Sequence, residues 1–155
     1  MNNGFDTTWN PFIAQTWNRY LPPIRPSSAV VEIYARVLDE VMKQNKLLEV
    51  LILGATPEIR DLVLDRKLSS TVVDYSDVNY RTLSLLMKHI PIQESFVNQN
   101  WVTMNLEKQF DIIIGDHSLN VISYKSINTM LSNVGRHMKK HALLVVRTWV
   151  RPTKI

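Results

Sequence analysis

The chain has 155 residues, 45% of them apolar and 21% charged, with a formal net charge of +4; that suits one globular domain with a real core and is short for a complete nucleotide-dependent enzyme. It contains no cysteine, which excludes disulfides and thiolate metal sites. The opening Met1-Asn2-Asn3-Gly4-Phe5-Asp6 lacks the basic and then apolar course of a signal peptide, and no apolar run approaches membrane-spanning length, so a cytoplasmic protein with no membrane partner is expected.

Up to Pro26 aromatic residues and prolines predominate, among them Trp9, Trp17, Tyr20, Pro22 and Pro23, which predicts an irregular arm with one short helix. Ser27 or Ser28 then caps a helix running to about Asn45, because Val30, Val31, Tyr34, Val37, Leu38, Val41 and Met42 recur at helical spacing. The run from Glu49 to Gly54 is apolar on both faces, as a strand covered by helices on both sides must be. A helix from Pro57 to about Asp65 follows, then a strand from Thr71 to Tyr75. Asp77 is expected to cap a helix reaching about His89, which Pro91 ends. A weak strand signal lies at Phe96 and Val97, and a strong one covers Phe110 to Asp116. A helix from about Tyr124 to Met138 leads to a fifth strand, Ala142 to Trp149. Residues 1–46 thus read as arm and helix, and residues 47–155 as a strand-and-helix core within one domain.

Strands alternating with helices imply an α/β protein with a doubly wound, mainly parallel sheet, on which ligands sit at the carboxyl edge. Gly54, Asp74 and Asp116 each end their strand there. A lone acid at a strand end is commonly a turn former, but a glycine turn followed about twenty residues later by a strand-end acid is the spacing that holds a nucleoside. The glycine lets the backbone turn tightly beside the ligand, and the carboxylate accepts from both ribose hydroxyls. The turn also bears on which nucleoside ligand is held. Pro57 removes an N–H donor from the helix start and Glu58 adds a negative charge, and both disfavour a pyrophosphate. A ligand with a ribose, no phosphate and a cationic tail meets no such penalty; S-adenosyl-L-methionine is such a ligand.

Val50-Leu51-Ile52-Leu53-Gly54-Ala55-Thr56-Pro57-Glu58 resembles the first motif of class I S-adenosylmethionine-dependent methyltransferases, in a variant with Gly-x-Thr-Pro-Glu in place of the glycine-rich loop. Val72-Val73-Asp74-Tyr75-Ser76 is similar to the second motif, and Phe110 to Asp116 with His117-Ser118-Leu119-Asn120 to the fourth. The resemblance covers about Leu48 to Val150. It implies a Rossmann-like core of strand order 3-2-1-4-5 without the family's usual last two strands. It further implies that Gly54, Ala55 and Thr56 lie against the methionine part of the cofactor, Asp74 on the ribose, Tyr75 beside the adenine and Asp116 beside the sulfonium. Asn100 or Trp101 stands where the family reads the adenine edge, although the usual acid is absent there and Trp101 reads equally as core. Segments before the first strand often close over the cofactor in this family. Trp9, Trp17, Tyr20 and Arg25 therefore read as a lid, with Arg25 reaching the cofactor carboxylate, or as simple cover for the sheet edge.

The implied reaction is methyl transfer to an unidentified acceptor, a small molecule rather than nucleic acid. No general base stands out, since His117, though adjacent to the methyl site, reads as a loop cap before it reads as a proton acceptor. Asp116-His117-Ser118-Leu119 is not the signature of amino-group methylation on bases or glutamine. His137 and His141 straddle a helix end and make no metal pair, so no metal is expected. The cations Arg136, Lys139, Lys140, Arg147, Arg151 and Lys154 run without an intervening acid, which keeps nucleic acid as a minor alternative. An NAD(P)-dependent oxidoreductase and a non-catalytic cofactor-binding module remain open. Because the sequence stops just after the fifth strand, a fragment, or a domain completed by another chain, is also expected, as is self-association through the edge of that strand.

Overall fold

The computed structural model describes residues 12–150, which leaves Trp9, Lys154 and the Arg151-Pro152 pair outside the described residues. The elements in chain order are α1 (Ile13–Trp17), α2 (Ser28–Gln44), β1 (Glu49–Leu53), α3 (Pro57–Asp65), β2 (Ser69–Asp74), α4 (Asp77–Ser84), β3 (Ser95–Asn98), β4 (Phe110–Asp116), a 3-10 turn at Tyr124–Ser126, α5 (Ile127–Arg136) and β5 (Met138–Arg147). The five strands form one parallel sheet in the order β3-β2-β1-β4-β5.

The alternation of side chains along β1 explains the layers. Val50 and Ile52 point to one face, where they meet Tyr34 and Leu38 of α2 and Ile59 and Val63 of α3. Leu51 and Leu53 point to the other, where Trp101, Met104, Met130 and Val134 cover them. Central parallel strands are buried on both faces, so both sets must be apolar. Ser27 caps α2 by accepting from Val30 N at 3.3 Å, which satisfies one of the donors that a helix start leaves free.

Several element boundaries differ from the expectation. Ser76, not Asp77, caps α4, its hydroxyl accepting from Asn79 N at 3.1 Å. The same helix stops at Ser84 instead of His89 because Asp61 of α3 captures Lys88 N at 3.0 Å, and a tertiary contact of that kind leaves no mark in local sequence. Strand β5 begins at Met138 and ends at Arg147, with a register irregularity opposite Phe110 and Ile112 that lets His141 adopt a φ of 68°.

Candidate functional site

Parallel register brings the strand ends into line. Leu53 pairs with Val73 on one side and Gly115 on the other, so the next residues, Gly54, Asp74 and Asp116, stand in one row at the carboxyl edge. Gly54 has a φ of +100°, a conformation that costs a side-chain-bearing residue and not glycine. It packs above Trp101, whose ring would lie 3.6 Å from any Cβ added there. The chain turns here and enters α3 at Pro57, which as the first helical residue gives up an N–H that would have had no intrahelical partner.

One cavity, about 90 Å³ in volume, lies over this row. Gly54, Ala55, Thr56, Asp74, Tyr75 and Trp101 line it together with Asp116. Seven of the eight expected cofactor residues therefore meet at one place. Asn100 is not among them: it is exposed, and its Oδ1 accepts from Val102 N at 2.9 Å to close a turn. Trp101 is in the cavity wall, but its indole N–H donates to the Val73 carbonyl at 2.7 Å, so it offers the cavity a ring face and no donor. A larger cavity of about 760 Å³ lies between the arm, α2 and α3 and shares Trp17 with the first. It touches none of the strand ends, where the chemistry is concentrated.

Asp74 is 5% exposed. Its Oδ1 accepts from Ser76 N at 2.9 Å, and the Ala55 N–H also turns to the carboxylate. Burial pushes its pKa up to about 6, against the pull of those two N–H groups and the nearby Arg60 guanidinium. Asp116 is held differently. Arg147, at the end of β5, grips it with two parallel hydrogen bonds, Nε to Oδ1 at 2.5 Å and the second guanidinium nitrogen to Oδ2 at 2.8 Å. Tyr34 of α2 ties the same strand ends together, donating to Gly115 O at 2.8 Å and accepting from Arg147 N at 2.9 Å. Its phenol is pushed up to about 12 by burial and by the Asp116 charge. Sequence reading did not single out Tyr34, or Arg147 as a partner of Asp116. The recurrence of Tyr34 on the buried stripe of α2 was the only signal.

His117 follows Asp116 at a φ of 56°. Its Nε2 faces the Pro23 carbonyl at 2.7 Å and its Nδ1 faces Asn120 Oδ1 at 3.1 Å. Asn120 is itself oriented by the Trp149 backbone, which donates to its Oδ1 at 3.0 Å and accepts from its Nδ2 at 3.3 Å. His117 thus fastens the arm to the β4 loop, with both ring nitrogens engaged. His137 is likewise built into the fold, its Nδ1 facing Asn133 O at 2.9 Å while its Nε2 accepts from Leu106 N at 2.9 Å.

The arm does reach the site. Ile13 and Trp17 pack on Ala55 and Leu83, and with Ile24 they form the outer wall of the cavity. Arg25, expected to reach the cofactor carboxylate, is held at the turn. It is ion-paired with Glu58, which also accepts from Trp17 Nε1 at 3.0 Å. The Glu58 charge beside the turn is therefore compensated. Two cations of the basic run are paired with acids, Lys139 with Asp111 near the start of β5 and Arg147 with Asp116 at its far end. Among the described residues, no helix is long and apolar enough to cross a membrane.

One polar group in the wall escaped sequence reading: Asn79, on the first turn of α4, is 5% exposed and its Oδ1 has no hydrogen-bond partner. A buried carboxylate beside a tight glycine turn at one cavity suits a nucleoside, which offers hydroxyl donors.

No protein-family model matches the sequence, and no curated protein matches it. Solved structures do. The methyltransferase CcbJ of Streptomyces caelestis superposes with a TM-score of 0.70 at 16% identity, over 86% of this chain and 54% of that one. An S-adenosylmethionine-dependent methyltransferase from Clostridium acetobutylicum gives 0.62 at 17% identity, over 75% and 49%. The N-methyltransferase NodS of Bradyrhizobium japonicum, in complex with S-adenosyl-L-homocysteine, gives 0.62 at 15% identity, over 86% and 71%. The chain spans about half the length of the first two. Likeness at such identities is likeness of fold, and the fold of this chain is the Rossmann-like fold of these class I methyltransferases, with five strands in the order 3-2-1-4-5.

Proposed function

We propose that this chain is an S-adenosylmethionine-binding methyltransferase domain whose acceptor is a small molecule and not a nucleic acid. One observation carries the reading: the Gly54 turn and the buried Asp74 carboxylate face a single cavity at the carboxyl edge of a sheet of this order. The neighbours NodS and the glycopeptide N-methyltransferase MtfA have been crystallised with S-adenosyl-L-homocysteine, and they lend support of the same kind.

Bound adenosylmethionine would supply an electrophilic methyl group on a sulfonium. The chain's own part is to hold that group in line with an acceptor. Asp74 takes the ribose hydroxyls, Gly54, Ala55 and Thr56 give the methionine part close backbone approach, and Tyr75 and Trp101 offer ring faces to the adenine. Asp116 stands at the same edge with its charge compensated by Arg147, so the sulfonium side of the site is lined by a fixed ion pair. A cavity of about 90 Å³ is well below the roughly 300–1,000 Å³ of ligand pockets. The arm must therefore withdraw on binding, and Trp17, Arg25 and Pro23 must release Glu58 and His117.

A second reading, cofactor binding without transfer, is favoured by the engagement of both His117 nitrogens and of both Asp116 oxygens, which leaves neither group free as a base. Calorimetric titration with S-adenosyl-L-homocysteine and with NAD under the same salt conditions tests the proposal. Binding of the first and not the second is expected. Tighter binding of NAD would give the site to a nicotinamide-dependent oxidoreductase.

A further inference from the structure

Both oxygens that face the His117 ring are acceptors. Its Nε2 lies 2.7 Å from the Pro23 carbonyl on the arm, and its Nδ1 lies 3.1 Å from Asn120 Oδ1. The orientation of the Asn120 amide is fixed from its other side, where Oδ1 accepts from Trp149 N and from the Thr148 hydroxyl, each at 3.0 Å, and Nδ2 donates to Trp149 O at 3.3 Å. Turning the amide over would set its NH2 against the Trp149 N–H, donor against donor. A neutral imidazole has one N–H and one bare lone pair, so it satisfies one of the two oxygens and repels the other; the imidazolium donates to both, and with the stronger, charge-assisted bonds.

The charges around the ring leave that proton to the arm. Asp116 precedes His117 in the chain, but Arg147 of β5 holds both of its oxygens. Tyr34 of α2 bridges the same strand ends, and Asp74 of β2 lines the same cavity. On the β5 side the ring meets Trp149 edge-on, with 4.6 Å between ring centres, and on the arm Arg25 is ion-paired with Glu58. The positive ring is thus held by two neutral acceptors, one of which leaves when the arm does. We propose that His117 is a proton-controlled latch: doubly protonated, it fastens the arm over the cavity at the strand ends, and loss of one proton releases the arm and admits the nucleoside ligand. This adds regulation to the cofactor reading above and rests on it for the identity of the ligand. Because binding requires the arm to withdraw, ligand and proton favour opposite states, and affinity should rise with pH.

Nitrogen-15 NMR of the imidazole rings tests the latch without any ligand. In the whole chain both His117 nitrogens should carry protons near the lower end, and one near the upper end, of the range of about pH 5–8 in which imidazoles titrate. The indole N–H of Trp17, bonded to Glu58 while the arm is closed, should shift toward the position of a solvated indole along the same curve. An indole signal that does not follow His117, or a His117 ring with a single N–H throughout, overturns the latch. By calorimetry, affinity for S-adenosylhomocysteine should rise about threefold or more between about pH 6.5 and 8, one proton setting a ceiling of about tenfold per pH unit. His117→Asn suits the left-handed φ of 56° and cannot titrate. It should keep only the smaller rise that Asp74 completes at the lower end of this range. A folded variant as pH-dependent as the wild type overturns the latch. Absence of binding at every pH overturns the cofactor reading instead, and in that case, as in a variant that does not fold, the NMR titration of the wild type decides the latch by itself.

Discussion

Asp74 shows how burial sets the behaviour of a single group. Its folded-state pKa of about 6 stands above the ordinary 3.8, so between these values the folded chain holds a proton that the unfolded chain has released. Stability therefore declines as pH rises from about 4 to about 6, by on the order of 2–3 kcal/mol, and is level above that window with respect to this group. Asp74→Asn should abolish that slope in denaturant melts taken across the window. Cofactor binding should run the other way, because ribose hydroxyls need an acceptor on both oxygens and the protonated acid offers one fewer. Affinity for S-adenosylhomocysteine should thus fall as pH drops below about 6. At neutral pH Asp74→Ala should weaken binding by roughly 1.5–3 kcal/mol per charged hydrogen bond lost while the fold persists. Unchanged affinity in a folded variant would remove Asp74 from the site.

Within and around α3, Arg60 organises what the strand ends display. Its side chain and that of Glu94 are both fully buried, with the guanidinium at 2.5 and 2.9 Å from Glu94 Oε1. It also donates to Ser84 Oγ at 2.7 Å and to the Ala55 carbonyl at 3.4 Å, and lies 4.5 Å from the centre of the Tyr80 ring, which is stacked on Phe96. One side chain thereby ties the glycine turn to α4 and to the start of β3. Two charges buried together cost much of what their attraction returns, but one left alone costs far more. Arg60→Met should therefore destabilise by about 3–5 kcal/mol, and Arg60→Met with Glu94→Leu by much less than the single change. Equal losses in urea melts of the two variants would mean that the pair acts through packing and not through charge.

At the scale of the molecule, the arm and the outer edge of the sheet are the features to test. The arm is fastened on both sides of the site, to Glu58 through Trp17 and Arg25 and to His117 through Pro23. The sheet ends at β5, whose outer edge has no neighbouring strand among the described residues. Leu143 there is 44% exposed, and the three residues after it, all apolar, are only partly covered. A flat apolar edge is a template for pairing with another chain. Self-association through β5 is expected to appear in light scattering as mass rising with concentration, and a lysine placed at Leu143 should suppress it. A stable monomer at high concentration would show that the edge is adequately guarded by Lys139, Lys140 and Arg147.

The sheet and the row of strand ends were legible in the residues alone because both depend on local rules. Apolar runs on both faces mark central parallel strands, and a strand that ends in glycine or an acid places that residue at the carboxyl edge whatever its neighbours are. Helices α2 and α3 were equally plain, since periodicity and capping chemistry are properties of a few consecutive residues. What sequence left open depends on residues far apart in the chain. The end of α4 is set by Asp61, the engagement of Asp116 by Arg147 and that of His117 by Pro23, and the choice between Asn100 and Trp101 by which side chain the folded loop leaves in the cavity wall. Local pattern determines which elements form and which residues end them; only tertiary packing decides which polar atoms have already found a partner and which still need one.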